Sequence, residues 1–167
     1  MAFISNGSNV ISFAEYQDVF DADQRIFDLN EGLTDDVIET SLVRATERIL
    51  TRVRSTDWWK SYYITRDTSP IQVADIPAPS ANKIVDRRND FTELCVAVAM
   101  SEYILPKIAD FGAADNAEKN KMGYYLQRSD KIFAELITAG DWYDFDGSGV
   151  VASVEKQATH VNLRRIR

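Results

Sequence analysis

At 167 residues the chain has room for one domain with a proper core and too little for two ordinary ones. Hydrophobic residues make up 45% and charged residues 27%, the composition of a globular protein and not of a disordered one. The net charge of −7 argues against a general nucleic-acid binder, which needs clustered Lys and Arg, and against docking on an anionic membrane.

The first residues, Met1-Ala2-Phe3-Ile4-Ser5-Asn6-Gly7, lack the basic region and apolar stretch of a secretory signal. No apolar run approaches the ~20 residues that span a bilayer, so folding in the cytoplasm is expected. Ser12-Phe13-Ala14-Glu15 has the spacing of a capping box and predicts a short helix from about Phe13 to Val19. A second short helix is expected from Asp23 to Leu29, ended by Asn30-Glu31-Gly32.

Thr34 is placed to cap a longer helix with Asp35 and Asp36 in its first turn, where they suit the macrodipole. Ile38, Leu42, Ala45, Ile49 and Val53 step by four and three and give one buried stripe. Arg44, Arg48, Arg52 and Arg54 fall mostly off it; a solvated helix face is the preferred reading over a surface for an acidic partner. Trp58-Trp59-Lys60-Ser61-Tyr62-Tyr63 holds four large aromatics. They are expected to close one end of the core, since no interleaved basic residues track a nucleic-acid strand.

From Ile64 to Asn89 the prolines Pro70, Pro77 and Pro79, with Ser, Thr and Asp between them, disfavour a helix. Ile71, Val73 and Ile76 suggest a short strand. A loop this long is usually functional, and residues 64–89 are read as an extended arm that orders against a partner. Asp90-Phe91-Thr92-Glu93 again has capping-box spacing and opens the most apolar helix of the protein. A helix apolar on nearly all sides must be surrounded by protein, so Phe91 to Leu105 is the expected core helix, ended or kinked by Pro106. Cys95, the single cysteine, lies inside that run and reads as a buried core thiol.

Asp115-Asn116-Ala117-Glu118 is a further capping box. The following helix carries Met122, Tyr125, Leu126, Ser129, Ile132, Phe133, Leu136 and Ile137 on its core face, with Gly140 as its stop.

Asp144-Phe145-Asp146-Gly147-Ser148-Gly149-Val150-Val151-Ala152-Ser153-Val154-Glu155 matches most of a twelve-residue EF-hand calcium loop. Asp144, Asp146 and Ser148 take ligand positions one, three and five, Gly149 the sharp turn, and Glu155 the closing bidentate carboxylate. Ser at the fifth position, the helix break at Gly140 and the lack of a second loop weaken the match. The same residues also read as a β-hairpin turning at Asp-Gly and Ser-Gly between Trp142-Tyr143 and Val150-Val151, and the hairpin is preferred.

His160 is the only histidine and has no Cys or Ser in an obvious relation to it, and no phosphate loop, zinc spacing or dinucleotide fingerprint is present. An enzyme is therefore not expected, nor a resident cofactor other than Ca²⁺ at residues 144–155. Lys156, Arg164, Arg165 and Arg167 make residues 156–167 a basic tail without an acid. Setting those four aside leaves 15 basic residues against 26 acidic ones, a body of −11. Such a tail suits docking on a partner or a neighbouring copy. The expected fold is mainly α: a small helical bundle over residues 1–155, with the arm and a short β-hairpin near the C-terminus.

The capped helix Thr34 to Arg54, the Trp58-Trp59 corner, the proline-bearing arm, the two core helices and the segment Gly140-Asp141-Trp142-Tyr143-Asp144-Phe145-Asp146-Gly147 together resemble the adaptor, or head-completion, proteins of tailed bacteriophages. The resemblance implies a structural protein made in the host bacterial cytoplasm and placed in the virion neck, as a ring of about twelve copies beneath the portal. The ring would extend the DNA channel and carry the tail or a stopper protein, without contact with a membrane. It implies that the tail residues Asn162, Leu163, Arg164, Arg165, Ile166 and Arg167 dock on the portal. Pro70, Ile71, Val73, Ile76 and Pro77 of the arm would touch neighbouring subunits. DNA would pass an acidic body without sequence-specific binding, since attraction to phosphates would hold the genome back.

Overall fold

The computed structural model describes residues 3–28, 32–66, 72–109 and 117–156. It opens on a hairpin of β1 (Ile4–Asn6) and β2 (Asn9–Ser12), antiparallel with Asn6 opposite Asn9 and Ser5 opposite Val10. The turn is Gly7-Ser8: Gly7 has φ +63° and Ser8 stays out of the left-handed region, the arrangement of a type II′ turn with glycine at its first central position. A register irregularity between Ile4 and Ser5 marks a bulge. The hairpin of this fold thus lies at the opposite end of the protein from the one expected.

Helices α1 (Tyr16–Ala22) and α2 (Arg25–Asp28) follow. The Ser12 hydroxyl does not cap α1: it donates to the Ala14 carbonyl and accepts from the Ala14 amide. Asp18 serves instead, accepting the Glu15 N–H at 2.9 Å, so α1 starts three residues later than predicted. Helix α3 (Asp35–Ser55) has Thr34 as its N-cap residue, with no cap bond from the threonine hydroxyl, and buries the predicted stripe together with Ser41 and Thr46. Helix α4 (Asp57–Arg66) carries the aromatic cluster and runs into the region expected to be extended.

The central helix α5 (Arg88–Val98) continues through a wide π-helical turn, Ala99–Ile104, into α6 (Leu105–Ile108). An α-helix running straight through Pro106 would drive its ring into the Glu102 carbonyl; the widened turn just before it absorbs that clash, so Pro106 does not end the helical path. Ser101 Oγ donates to the carbonyls of Ala97 and Val98 inside this stretch. The predicted Asp90 cap is displaced. Arg87, at φ +54°, is the residue before the helix, and Asp90 sits in the first turn.

Helix α7 (Ala117–Ala139) packs along α5 and the wide turn. Tyr125, Ser129 and Leu136 are buried, whereas Leu126, predicted for the core, is exposed. The residues expected to cap α7, Asp115 and Asn116, lie outside the described residues. Gly140 stops the helix as predicted, at φ +58°, with its N–H on the Leu136 carbonyl at 3.0 Å.

The core lies between α3, α5 with its wide turn, and α7, lined by Ile38, Leu42, Ile49, Leu94, Met100 and Ile104. Burying each such side chain contributes about 1.5–3 kcal/mol. Phe13 enters this core with its backbone satisfied by two buried threonines: its N–H donates to Thr46 Oγ1 and its carbonyl accepts from Thr92 Oγ1. Cys95 is buried beside Thr46, and burial pushes its thiol up to about 11.

Of the four arginines of α3, Arg44, Arg48 and Arg54 are exposed, as expected of a solvated face, and Arg52 is half-buried; each also has a partner. Arg44 lies over the Tyr103 ring, and Arg48 pairs with Glu102 at 3.4 Å. Arg52 bridges to Asp130 while covering Phe133, and Arg54 donates to the Ile76 carbonyl. They fasten α3 to its neighbours through stacking and hydrogen bonding that suit the planar guanidinium. Among the described residues no helix is long and apolar enough to cross a membrane.

Candidate functional site

The segment after Gly140 has the densest polar geometry among the described residues, and it is built on an aromatic floor. Trp142 is buried with its ring centroid 4.7 Å from Trp58 and 4.8 Å from Phe91, and its Nε1 donates to the Leu136 carbonyl. Tyr143 meets Trp59 edge-on at 4.9 Å, and Phe145 stacks on Tyr62 at 3.6 Å. The aromatics of α4 therefore close the core end, as predicted, by receiving this segment. Burial, with the Tyr143 and Tyr62 phenols close by, raises Tyr63 to about 12. Trp58 Nε1 is buried with no acceptor among the described residues.

Residues 72–87 lie against the same floor. Trp59 Nε1 donates to the Pro77 carbonyl at 2.9 Å, and the Ser80 N–H donates to Tyr143 Oη. Ile84 and Tyr143 form an isolated antiparallel bridge. Lys83 then grips the next turn twice, its carbonyl accepting the Asp144 N–H and its Nζ donating to the Phe145 carbonyl at 2.8 Å.

Part of the segment expected to be an extended arm thus packs on the body. Ile76 is 2% exposed, and its carbonyl accepts from Arg54 at 2.9 Å. Val73 falls in a short 3₁₀ turn, Val73–Asp75, and not in a strand. The Pro77 carbonyl accepts from Trp59 while the Pro77 ring stays exposed. Pro70 and Ile71 lie outside the described residues. A proline-rich sequence without helix need not be detached: its free carbonyls accept side-chain donors from the body.

On this base residues 144–155 fold back on two carboxylates. Asp144, 3% exposed, accepts from Gly147 N at 2.7 Å and Ser148 N at 3.2 Å through Oδ1, and from Gly149 N at 2.6 Å through Oδ2. Asp146 Oδ1 accepts a second bond from Ser148 N. Glu155, 1% exposed, accepts from Phe145 N and Asp146 N through Oε1, and from Ala152 N through Oε2. Gly147 at φ +82° and Gly149 at φ +87° make the wrap possible. Burial works against the charge on Asp144, but the amides of Gly149, Gly147 and Ser148 outweigh it and hold the carboxyl below its ordinary range.

The preferred β-hairpin is thus not formed among residues 144–156. The amides that a cross-strand ladder would need are spent on carboxylates, and Val150 and Val154 stand exposed. The alternative, calcium-loop arrangement fares better in geometry. Asp144, Asp146 and Glu155 each present an oxygen within 4.8 Å of the others, and Gly149 takes the left-handed turn expected of it. The Ser148 hydroxyl donates to the Val150 carbonyl at 3.0 Å, which leaves the lone pairs of its oxygen free. Hard oxygens so gathered suit a divalent cation such as Ca²⁺; equally, six backbone amides already neutralise much of their charge.

The long-range anchors have no counterpart in the sequence reading: Lys83 on the loop, and Arg87 on Asp141. The latter is a bidentate pair, Nε to Oδ1 at 2.5 Å and Nη2 to Oδ2 at 3.0 Å, and it draws Asp141 below the ordinary carboxylate range. It ties the start of α5 to the end of α7. No spacing in the sequence signals a contact between positions this far apart. The tail residues Asn162, Leu163, Arg164, Arg165, Ile166 and Arg167 lie outside the described residues.

An open cleft of about 600 Å³ between α1, α5 and α7 also gathers acids. One oxygen of each is engaged: Asp18 Oδ2 accepts the Glu15 amide, Asp21 Oδ1 accepts from Gln17 Nε2, and Glu93 Oε1 pairs with Arg128. Comparison with protein-family models, curated proteins and solved structures finds no match.

Proposed function

We propose that this protein is a structural, non-catalytic adaptor of a tailed-phage virion. It assembles as a ring of about twelve copies in the neck, between the portal and the tail or stopper protein. The observation that carries the reading is the meeting of two features on which the resemblance to head-completion proteins rests. The Trp58-Trp59 corner and the Gly140–Gly147 segment lie far apart in sequence, yet they pack as one unit that closes the bundle. A helical bundle tightened by its own arginines, with an acidic body of the kind DNA would slide past, is in keeping with such a role. In this reading residues 162–167 dock on the portal.

Deleting residues 162–167 tests the proposal. The expected outcome is an unchanged fold, read by circular dichroism, with loss of attachment to portal-bearing particles. Particles that retain the truncated protein would refute it. Native mass spectrometry of the full-length protein with portal present should show a ring-sized species near the copy number above, indifferent to calcium.

A second reading is favoured by the convergence of Asp144, Asp146 and Glu155: a calcium-stiffened loop. It predicts one calcium per subunit and a melting temperature that rises with calcium, both lost in Asp144→Ala.

A further inference from the structure

Two positions in the sequence place glycine after an Asn or Asp whose Cγ lies within reach of the glycine nitrogen, so that a five-membered ring can close: Asn6-Gly7 and Asp146-Gly147. The local chemistry is alike, but the fold treats the two differently. At Asp146-Gly147 the attacking nitrogen is held away. Gly147 N–H donates to Asp144 Oδ1 at 2.7 Å, while Asp146 Oδ1 is occupied by Ser148 N–H at 2.9 Å. Ring closure there would have to break the centre of the carboxylate-bound loop.

At Asn6-Gly7 nothing comparable stands in the way. Asn6 and Gly7 are both exposed at the tip of a short two-stranded hairpin. A Cβ added at Gly7 would meet no atom within 4 Å, so that flank of the backbone is open. No acceptor for the Gly7 N–H is found among the described residues, as expected for the first central position of a two-residue turn. A ribbon of two short strands opens locally far below the cost of global unfolding, which gives Asn6 the rotation the ring needs.

We propose that Asn6 is a site of spontaneous deamidation, the preferred one among the described residues. The Gly7 nitrogen attacks Asn6 Cγ and forms a new C–N bond; the Cγ–Nδ2 bond of Asn6 breaks, and the Gly7 proton leaves with the amide nitrogen as ammonia. Water then opens the cyclic imide at either carbonyl, giving aspartate or isoaspartate at position 6. Water is the sole co-reactant. The product places a carboxylate beside Asn9, whose Oδ1 accepts from Asn82 Nδ2 at 3.1 Å. In the isoaspartate form the backbone is also longer by one carbon, which spoils the Asn6–Asn9 pairing that sets the hairpin register.

The experiment is peptide mapping by mass spectrometry of the intact protein and of Asn6→Gln, sampled over days in mildly alkaline buffer. In the intact protein, the expected result is a gain of one mass unit at residue 6, split into two chromatographic isomers. It should accumulate severalfold faster than at any other described asparagine and be absent in Asn6→Gln, while Asp146 stays unsplit. An intact Asn6 beside deamidation elsewhere would overturn the proposal, as would isomerisation of Asp146 at the same pace. Asp144→Ala, which releases the Gly147 N–H, is expected to speed isomerisation at Asp146; no acceleration would refute amide holding as the protecting cause.

Discussion

Replacing Glu155 by Ala probes the loop most directly. The buried carboxylate accepts three backbone amides, from Phe145 at 2.8 Å, Asp146 at 2.9 Å and Ala152 at 2.8 Å. Hydrogen bonds to a charged group are each worth about 1.5–3 kcal/mol net. The simple sum overstates the loss, because Asp146 is exposed and Phe145 and Ala152 are only half-buried, so water can replace part of what is removed. A loss of roughly 3 kcal/mol is expected, below the ~4.5 kcal/mol that three such bonds would give at the low end of their range. At this length it lowers the melting temperature by about 6–12 °C. Glu155→Gln keeps an acceptor for Phe145 and Asp146 but turns a donor toward Ala152, and should fall between. The assay is thermal denaturation followed by circular dichroism in EDTA, which removes any cation contribution. A change within about 0.5 kcal/mol, the range of a neutral surface substitution, would refute the carboxylate as the element that closes the loop. An effect seen only with added calcium would assign Glu155 to metal binding instead.

Asp144 gives an acid limb. Its folded pKa is depressed, so its contribution is complete above the unfolded value of about 3.9 and is lost as pH falls through the lower folded value. Melting temperatures across that acid window should fall less steeply in Asp144→Ala than in the intact protein. Cys95, buried and raised to about 11, should stay unreactive toward a thiol reagent at neutral pH until the protein unfolds; rapid native labelling would contradict its place in the core. Gly140→Ala forces a Cβ into φ +58° and should cost about 1–2 kcal/mol, read as a shift in denaturant midpoint at constant slope. An unchanged midpoint would mean that the end of α7 relaxes to another turn.

The parts of this protein legible in its sequence are those fixed within one or two helical turns. The stripe of α3 follows from apolar residues recurring at helical spacing, the buried character of α5 from an uninterrupted apolar run, and the end of α7 from a glycine able to adopt positive φ. Each depends on a local geometry repeated by neighbouring residues. Capping positions are less legible, because Ser12, Asp18, Arg87 and Asp90 all offer plausible local partners, and the choice among them is made by what each helix end packs against. Even the N-terminal hairpin has a local signal in Gly7-Ser8, flanked by Asn6 and Asn9, but its strands are too short to show a clear alternation.

Tertiary structure alone decided the rest. Residues 64–89 read in sequence as an extended arm that orders against a partner, because the prolines disfavour a helix, yet the carbonyls of Ile76 and Pro77 found Arg54 and Trp59 on the body. The segment 144–155 satisfies the hairpin and calcium-loop patterns alike. What separated them was the burial of Asp144 and Glu155 beside an aromatic floor and the grip of Lys83, where two carboxylates could take six amides that a strand ladder would otherwise have used. A period of two or of 3.6 says which face a residue is on; it carries nothing about which distant backbone will supply the missing donor. That is settled only when the polypeptide folds back on itself.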